Sequence, residues 1–281
     1  MALLAVVALA FIVAGLLLGP WQWTAVMAGA ALLYGSLSPI IYARRLQFLA
    51  GASPHAALSA AGIALIVSEV AGTGQYMVQI AVGLGLVLAA GALIRSGRDP
   101  DEVASLLAAG GSVVGVASLY AASVLGSTGV MAVVAGDPLL ASTVEAAGIA
   151  VLGAVIAGLA YYLAPLASYI GVDPDDARLA GKRVDLVEAA LYSMLGLAAA
   201  ALITVVGFVV EHVLLLIPGA IAARLTRGSR ESILASMEIS VIASMTGLLA
   251  SMEAPIPPAA VAGAILLAVY VASARGVGHG G

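Results

Sequence analysis

The chain has 281 residues, of which 63% are hydrophobic and 9% charged, and its formal net charge is −4. Soluble globular proteins carry about 25% charged and about 45–50% apolar residues, so this composition excludes a water-soluble domain and indicates an integral membrane protein. With 11 basic residues against 15 acidic ones, the chain has no basic face for a phosphate backbone, which excludes nucleic acid as a partner. The absence of cysteine excludes disulfides and thiolate metal sites.

Ten apolar segments follow one another along the chain, most of them close to the ~20 residues that a helix needs to cross a bilayer. They predict an all-α fold, a polytopic transmembrane bundle of about nine or ten helices, in a single domain over residues 1–281. The count is open because Gly196, Gly207 and Pro218 interrupt the stretch 186–223, where one span could be broken or re-entrant. The segments are 2–18, 24–42, 48–67, 76–94, 103–125, 143–169, 186–206, 209–223, 232–252 and 257–273.

The positions of the basic residues predict an orientation. When the ten segments alternate in direction, every basic residue falls on the same side of the membrane, and the positive-inside rule makes that side cytoplasmic. We therefore expect a multi-pass protein of the cytoplasmic membrane with both termini in the cytoplasm. The basic residues are Arg44, Arg45, Arg95, Arg98, Arg178, Lys182, Arg183, Arg224, Arg227, Arg230 and Arg275.

The longest predicted cytoplasmic loop carries a short amphipathic helix at about residues 173–182. Acidic residues at its start suit the helix dipole, and Gly181 is placed to end it. One interpretation is an ordinary solvated loop. The other is a docking element for a soluble partner, since the spacing approximates E-A-A-x-x-x-G. The candidate docking residues are Asp173, Asp175, Asp176, Ala177 and Gly181.

Four motifs carry a family resemblance. Residues 44–65, RRLQFLAGASPHAALSAAGIAL, resemble the R-R-M-s-f-f-G-D-a-l-S-H-A-a-l-p-G segment of the permeases of zinc and manganese ABC importers. Residues 205–230 are similar to a later segment of that family, residues 136–140 to its G-d-i-L, and residues 173–182 to its docking loop. The positions in register in the two long segments are Arg44, Arg45, Phe48, Ala52, His55, Ala56, Leu58, Gly62, Gly207, Leu214, Leu215, Pro218, Ala220, Ala222 and Arg224.

The resemblance implies the fold of a type II ABC importer permease that works as a homodimer. It further implies that a cytoplasmic ATPase dimer docks on residues 173–182, that an extracellular solute-binding protein delivers the cargo, and that the cargo is zinc or manganese. The chain lacks a G-x-x-x-x-G-K-[ST] loop. We therefore expect a transport subunit rather than an enzyme, with no cofactor of its own and with ATP bound by the partner subunit.

Three ionisable residues, His55, Glu211 and His212, are candidate metal ligands. Counting 1.5 Å per helical residue from the cytoplasmic arginines places His55 roughly 15 Å and His212 roughly 18 Å away, near the middle of the bilayer. An ionisable residue at that depth costs about 2.5–3.5 kcal/mol and by default marks a pathway. The alternative interpretation is a hydrogen-bonded residue that only packs helices.

The sequence departs from the family pattern where the ion would bind. The family has an Asp four residues before the pathway His, whereas this chain has Gly51 there, and Glu211 and His212 stand where the family usually has apolar or small residues. Adjacent residues on a regular helix point about 100° apart. We therefore expect Glu211 and His212 to face one ion together only where the helix is unwound.

Two other functions stay open at this point. An importer of a metal chelate, such as a siderophore, haem or corrinoid, would line its cavity with small groups such as Gly51. An ion-coupled secondary carrier should show inverted repeats with paired broken helices, and the sequence has no such repeat. A membrane scaffold without transport is the residual interpretation.

Overall fold

The computed structural model describes residues 2–136, 138–254 and 256–276. All regular structure in these ranges is helical, and a 3-10 turn at Pro138–Leu140 separates α6 from α7. The helices are α1 Ala2–Leu18, α2 Trp21–Ala43, α3 Gln47–Ala71, α4 Gln75–Arg95, α5 Pro100–Val124, α6 Val130–Ala135, α7 Thr143–Val172, α8 Pro174–Leu179, α9 Val184–Val206, α10 Phe208–Leu225, α11 Ser229–Glu253 and α12 Pro258–Gly276.

The ten longer helices coincide with the ten predicted segments, so the all-α helical bundle is confirmed over the described ranges. Seven of the described helices, α2, α3, α4, α5, α7, α9 and α11, are long and apolar enough to cross a membrane, whereas α1 and α12 are apolar but shorter. The other three described helices are α6 and α8, with six residues each, and α10, with 18 residues. The sidedness of the membrane stays a prediction.

The helix break expected in the stretch 186–223 occurs at Gly207. Helix α9 ends at Val206 and α10 starts at Phe208. Gly207 between them has φ 88° and ψ 152°, a backbone conformation that glycine adopts without the steric penalty of a side chain. The two helices are therefore joined by one residue rather than by a loop.

The other two interruptions stay inside helices. Gly196 lies in α9, where a Cβ would stand 3.0 Å from the Cβ of Val87, so its missing side chain lets α4 approach closely. Pro218 lies in α10, and the next residue, Gly219, donates its N–H to Ser38 Oγ at 2.8 Å. Neighbouring hydroxyls of this kind let membrane helices tolerate an internal proline.

The chain forms two compact units, each described here by itself. Unit 1 contains α1, α2, α7, α11, α12 and α10 after its first turn. Unit 2 consists of Leu46–Gly136 and Asp173–His212, which is α3 to α6, α8, α9 and the first turn of α10. The expectation of a single domain over residues 1–281 stays a prediction.

In unit 1, α2 packs against α7 and α11, and α11 also packs against α1 and α12. Helices α2 and α7 meet backbone to backbone, because a Cβ on Gly29 would lie 2.9 Å from the carbonyl oxygen of Ile149. The outer side of α1 is apolar and exposed, with Leu3 76% and Leu17 79% accessible. Small residues at the helix contacts and large apolar ones outside are typical of a bundle packed in lipid.

In unit 2, α3 lies against α5, α4 and α9, and α4 also packs along α9. Gly83 of α4 faces Ala200 of α9, and the buried Gln79 side chain donates to the Ala200 carbonyl at 2.6 Å. Gly111 and Gly115 of α5 face the backbone and side chains of α3. Helix α3, which carries His55, is therefore in contact with α5, α4 and α9.

Candidate metal-binding site

Two of the three predicted metal ligands meet inside unit 2. The imidazole rings of His55 on α3 and His212 on α10 lie edge to face, with their centroids 5.4 Å apart and their planes at 84°. Phe208 packs against both rings, at 4.9 Å from His55 and 4.6 Å from His212. The break at Gly207 starts α10 directly beside this cluster, so Phe208 and His212 lie on its first two turns.

Each imidazole uses its Nδ1 atom in a hydrogen bond. His55 Nδ1 lies 2.8 Å from Ser112 Oγ on α5, and His212 Nδ1 lies 2.9 Å from the carbonyl oxygen of Phe208 in its own helix. Within the described part of the chain, neither Nε2 atom has a hydrogen-bond partner. The Nε2 atoms are therefore the ones available to a ligand.

Glu211, the third predicted ligand, is fully buried, and neither of its carboxylate oxygens has a hydrogen-bond partner among the described residues. Helix α10 is regular at this point, since Glu211 N donates to Gly207 O at 3.3 Å. Over the described ranges no group of three His, Cys, Asp or Glu side chains is placed to hold a metal ion. The metal-ligand roles of His55, Glu211 and His212 stay predictions, and the structure brings the two histidines together.

The sequence analysis missed Ser112 and Phe208 as neighbours of the histidines. The pair of glycines before Ser112 in an apolar helix was an available signal, because it indicates close approach of another helix. Nothing in the sequence indicates which helix approaches. Asp137, part of the third motif of the family resemblance, lies outside the described residues.

The predicted docking segment contains α8, Pro174–Leu179. The Asp173 side chain caps this helix by accepting from the backbone N–H groups of Asp175 at 3.0 Å and Asp176 at 2.9 Å. Ala177 is buried, while Gly181 follows the helix with φ 72° and open space around its Cα. All five candidate docking residues thus lie in or beside one short capped helix, and their docking role stays a prediction.

Comparison with known proteins identifies a protein family that matches this chain. The profile of the ABC 3 transport family matches residues 6–275. A relative from Thermotoga maritima, named "Probable metal transport system membrane protein", is 27% identical over 192 residues. That match covers 68% of this chain and 66% of the relative's own length, slightly less than two thirds.

Solved structures share the fold. PsaBC from Streptococcus pneumoniae in complex with Fab is similar with a TM-score of 0.78 over 94% of this chain and 95% of that chain, at 18% identity. A second structure is described as a metal-chelate type ABC transporter in an inward-facing conformation. It is similar with a TM-score of 0.67 over 97% of both chains, at 12% identity. With its apolar helices and its match over residues 6–275, this chain is a multi-pass protein of the cell membrane that belongs to the ABC 3 transport family.

Proposed function

We propose that the chain is the membrane permease of an ATP-driven importer that carries a divalent transition metal, zinc or manganese, across the cytoplasmic membrane. The observation that supports this most directly is the pair of imidazoles, His55 and His212, whose ring centroids lie 5.4 Å apart. The printed name of the Thermotoga relative is consistent with metal as the cargo.

The separation of the two rings fits one shared ion. A zinc ion bound at a Zn–N distance of about 2.1 Å stands about 3.2 Å from the centroid of its imidazole ring. Two rings whose centroids are 5.4 Å apart then subtend about 115° at the ion, close to the tetrahedral angle that zinc prefers. The centroid separation therefore leaves room for one shared ion when both Nε2 atoms turn toward it.

A site with two protein ligands suits an ion that is transported better than an ion that is bound permanently. Structural zinc sites use four protein ligands, whereas a conducting site must bind the ion firmly enough to admit it and weakly enough to release it. Glu211 is the proposed third ligand. It would join only when α10 rotates or unwinds, because adjacent residues point about 100° apart on a regular helix.

The ligand set favours zinc over manganese. Imidazole suits zinc, while manganese prefers carboxylate, carbonyl and water oxygens. Gly51 leaves no carboxylate one helical turn before His55, and the side chain that contacts His55 Nδ1 is the hydroxyl of Ser112. We therefore expect tighter binding of Zn²⁺ than of Mn²⁺.

The proposed partners complete the transport cycle. A second copy of the chain forms the other half of a symmetric pathway. A cytoplasmic ATPase dimer presses on α8 and so alternates the access of the metal site, and an extracellular solute-binding protein delivers the ion. The chain itself binds no nucleotide and no cofactor.

The test is ATP-driven uptake of Zn²⁺ and Mn²⁺ into liposomes that contain the full chain with its cognate ATPase. We expect His55→Ala and His212→Ala each to lower Zn²⁺ uptake by at least about tenfold, since even partners of metal ligands cost 10- to 100-fold. The double variant should be little worse than either single one, because ligands of one site are not additive. Tyr120→Ala, an exposed aromatic on α5, is the control. Wild-type uptake by His55→Ala would contradict the proposal.

The docking role of α8 has its own matched control. Asp173 caps α8 and Asp99 caps α5 by the same pattern, Asp-Pro-Asp followed by an acidic residue, with two backbone N–H groups donating to each side chain. Loss of an N-cap costs about 1 kcal/mol in either case. We expect Asp173→Ala to reduce the metal transported per ATP hydrolysed and Asp99→Ala to leave that ratio unchanged. Equal ratios in the two variants would remove the docking assignment.

A metal chelate is the second candidate cargo. Gly51 supports it, since a small residue near the path makes room for a bulky ligand. The structural likeness to a protein described as a metal-chelate type transporter also supports it. Uptake of a chelate by the double histidine variant, with no uptake of free Zn²⁺ by the wild-type chain, would favour this cargo.

A further inference from the structure

Helices α3 and α5 approach each other at the backbone beside His55. A Cβ on Gly111 of α5 would lie 2.7 Å from the carbonyl oxygen of His55, so only glycine fits there. One turn along α3, the buried Ser59 hydroxyl donates to the Gly111 carbonyl at 2.8 Å. The residue after Gly111 is Ser112, and the close approach brings its hydroxyl within reach of the His55 ring.

The hydrogen bonds of Ser112 determine which ring nitrogen of His55 carries the proton. Ser112 Oγ lies 2.7 Å from the carbonyl oxygen of Ala108 and 2.8 Å from His55 Nδ1. A hydroxyl has one hydrogen to donate, and a carbonyl oxygen can only accept. Both contacts are hydrogen bonds at once only when the Ser112 hydrogen goes to Ala108 and Ser112 Oγ accepts from His55 Nδ1–H. The lone pair of the His55 ring then lies on Nε2.

His212 reaches the same state through a different partner. Its Nδ1 lies 2.9 Å from the carbonyl oxygen of Phe208, which can only accept, so Nδ1 carries the proton here as well. Both imidazoles thus present an Nε2 lone pair. Metal-binding histidines are commonly fixed in this way, by donating the other ring N–H to a carbonyl or another acceptor.

We propose that Ser112 is a positioning residue, which holds His55 in the Nδ1–H tautomer and presents its Nε2 to the transported cation. This inference rests on the proposed function of the His55–His212 pair. Ser112 already has a hydrogen-bond acceptor in Ala108 within its own helix, so it does not need His55 to satisfy its hydroxyl. His55, in contrast, needs an acceptor to fix its tautomer and ring angle, and Ser112 supplies it.

The experiment uses the full chain in nanodiscs, labelled with ¹⁵N-histidine. The chain has three histidines, so single His→Gln variants assign each set of ring signals, and protonated and unprotonated ring nitrogens give separate signals. The variants are Ser112→Ala, Ser112→Thr and Ser193→Ala. Ser193 is the matched control, since it makes the same bond to the carbonyl four residues earlier, at 2.7 Å, but forms no hydrogen bond with a histidine among the described residues. Binding is measured by titration with Zn²⁺.

We expect the His55 signals to show Nδ1–H in the wild-type chain and a mixture of tautomers in Ser112→Ala, together with a Zn²⁺ Kd weakened about 10- to 100-fold. Ser112→Thr, which keeps the hydroxyl, should restore both readouts, and Ser193→Ala should change neither. The readouts separate the two proposals. If His55→Gln loses Zn²⁺ binding but Ser112→Ala keeps the wild-type tautomer and Kd, the positioning role is wrong. If His55→Gln binds Zn²⁺ like the wild type, the metal site itself is wrong.

Discussion

The α3–α5 contact in unit 2 and the α2–α7 contact in unit 1 are built alike but carry different chemistry. In each, a glycine lets two helices meet at the backbone: a Cβ on Gly111 would lie 2.7 Å from the His55 carbonyl carbon, and a Cβ on Gly153 would lie 3.0 Å from the Gly29 carbonyl carbon. The residues within one turn of Gly29 and of Gly153 are all apolar. The α3–α5 contact instead holds an imidazole and two serine hydroxyls.

This difference shows that close packing of two helices does not by itself create a functional site. Small residues at a contact are a general way to pack membrane helices, and they need no polar groups. At the α3–α5 contact, the same close approach brings Ser112 within 2.8 Å of a ring nitrogen of His55. A glycine contact alone therefore does not indicate a site, and the proposal for the α3–α5 contact depends on the imidazole of His55 with Ser112 beside it.

The largest effect should come from filling each glycine contact. Gly111→Val and Gly153→Val should each destabilise the fold, by about 1–3 kcal/mol for overpacking. In the folded fraction, Gly111→Val should also weaken Zn²⁺ binding by at least about tenfold, because it displaces Ser112 from His55. Gly153→Val should leave the Kd of Zn²⁺ unchanged. Unfolding in denaturant and Zn²⁺ titration measure the two effects, and an equal loss of binding in both variants would contradict the comparison.

The next comparison concerns one carboxylate in each unit, and its effect lies mainly on stability. Glu211 in unit 2 is fully buried with both oxygens unpartnered among the described residues, whereas Glu238 in unit 1 is partly exposed with one such oxygen. Removing an unsatisfied buried polar group recovers about 1–3 kcal/mol. Glu211→Leu should therefore stabilise the chain while lowering metal uptake, and Glu238→Leu should stabilise it less and leave uptake unchanged. Undiminished uptake by Glu211→Leu would remove Glu211 from the site.

The smallest expected effect concerns two buried serines. The Ser59 hydroxyl donates across the contact to Gly111 of α5 at 2.8 Å, whereas the Ser36 hydroxyl of α2 donates to Leu33 of its own helix at 2.9 Å. Hydrogen bonds between membrane helices average about 0.6 kcal/mol. Ser59→Ala should cost about that much in the free energy of unfolding, and Ser36→Ala less. Equal costs would mean that the Ser59 bond adds nothing to the α3–α5 contact.

Local features were predictable because they depend on nearby residues. The ten long helices follow the apolar segments, since a membrane helix satisfies its own backbone and needs only sufficient apolar length. The capped helix after Asp173 follows from the acidic residues and Gly181, which act within one or two turns. The candidate ligands His55 and His212 were also found from sequence, because ionisable residues are rare in such apolar segments.

Sequence alone determined the all-α membrane class, the helix positions and the presence of three ionisable residues in apolar segments, because composition and apolar length are properties of each segment by itself. The tertiary structure decided that Gly207 rather than Gly196 or Pro218 breaks a helix. Gly196 is packed against Val87, and Ser38 binds the backbone beside Pro218. It also decided that His55 meets His212 and that Ser112 Oγ lies 2.8 Å from His55 Nδ1. Those contacts join residues far apart in the chain, so no local pattern of residues encodes them.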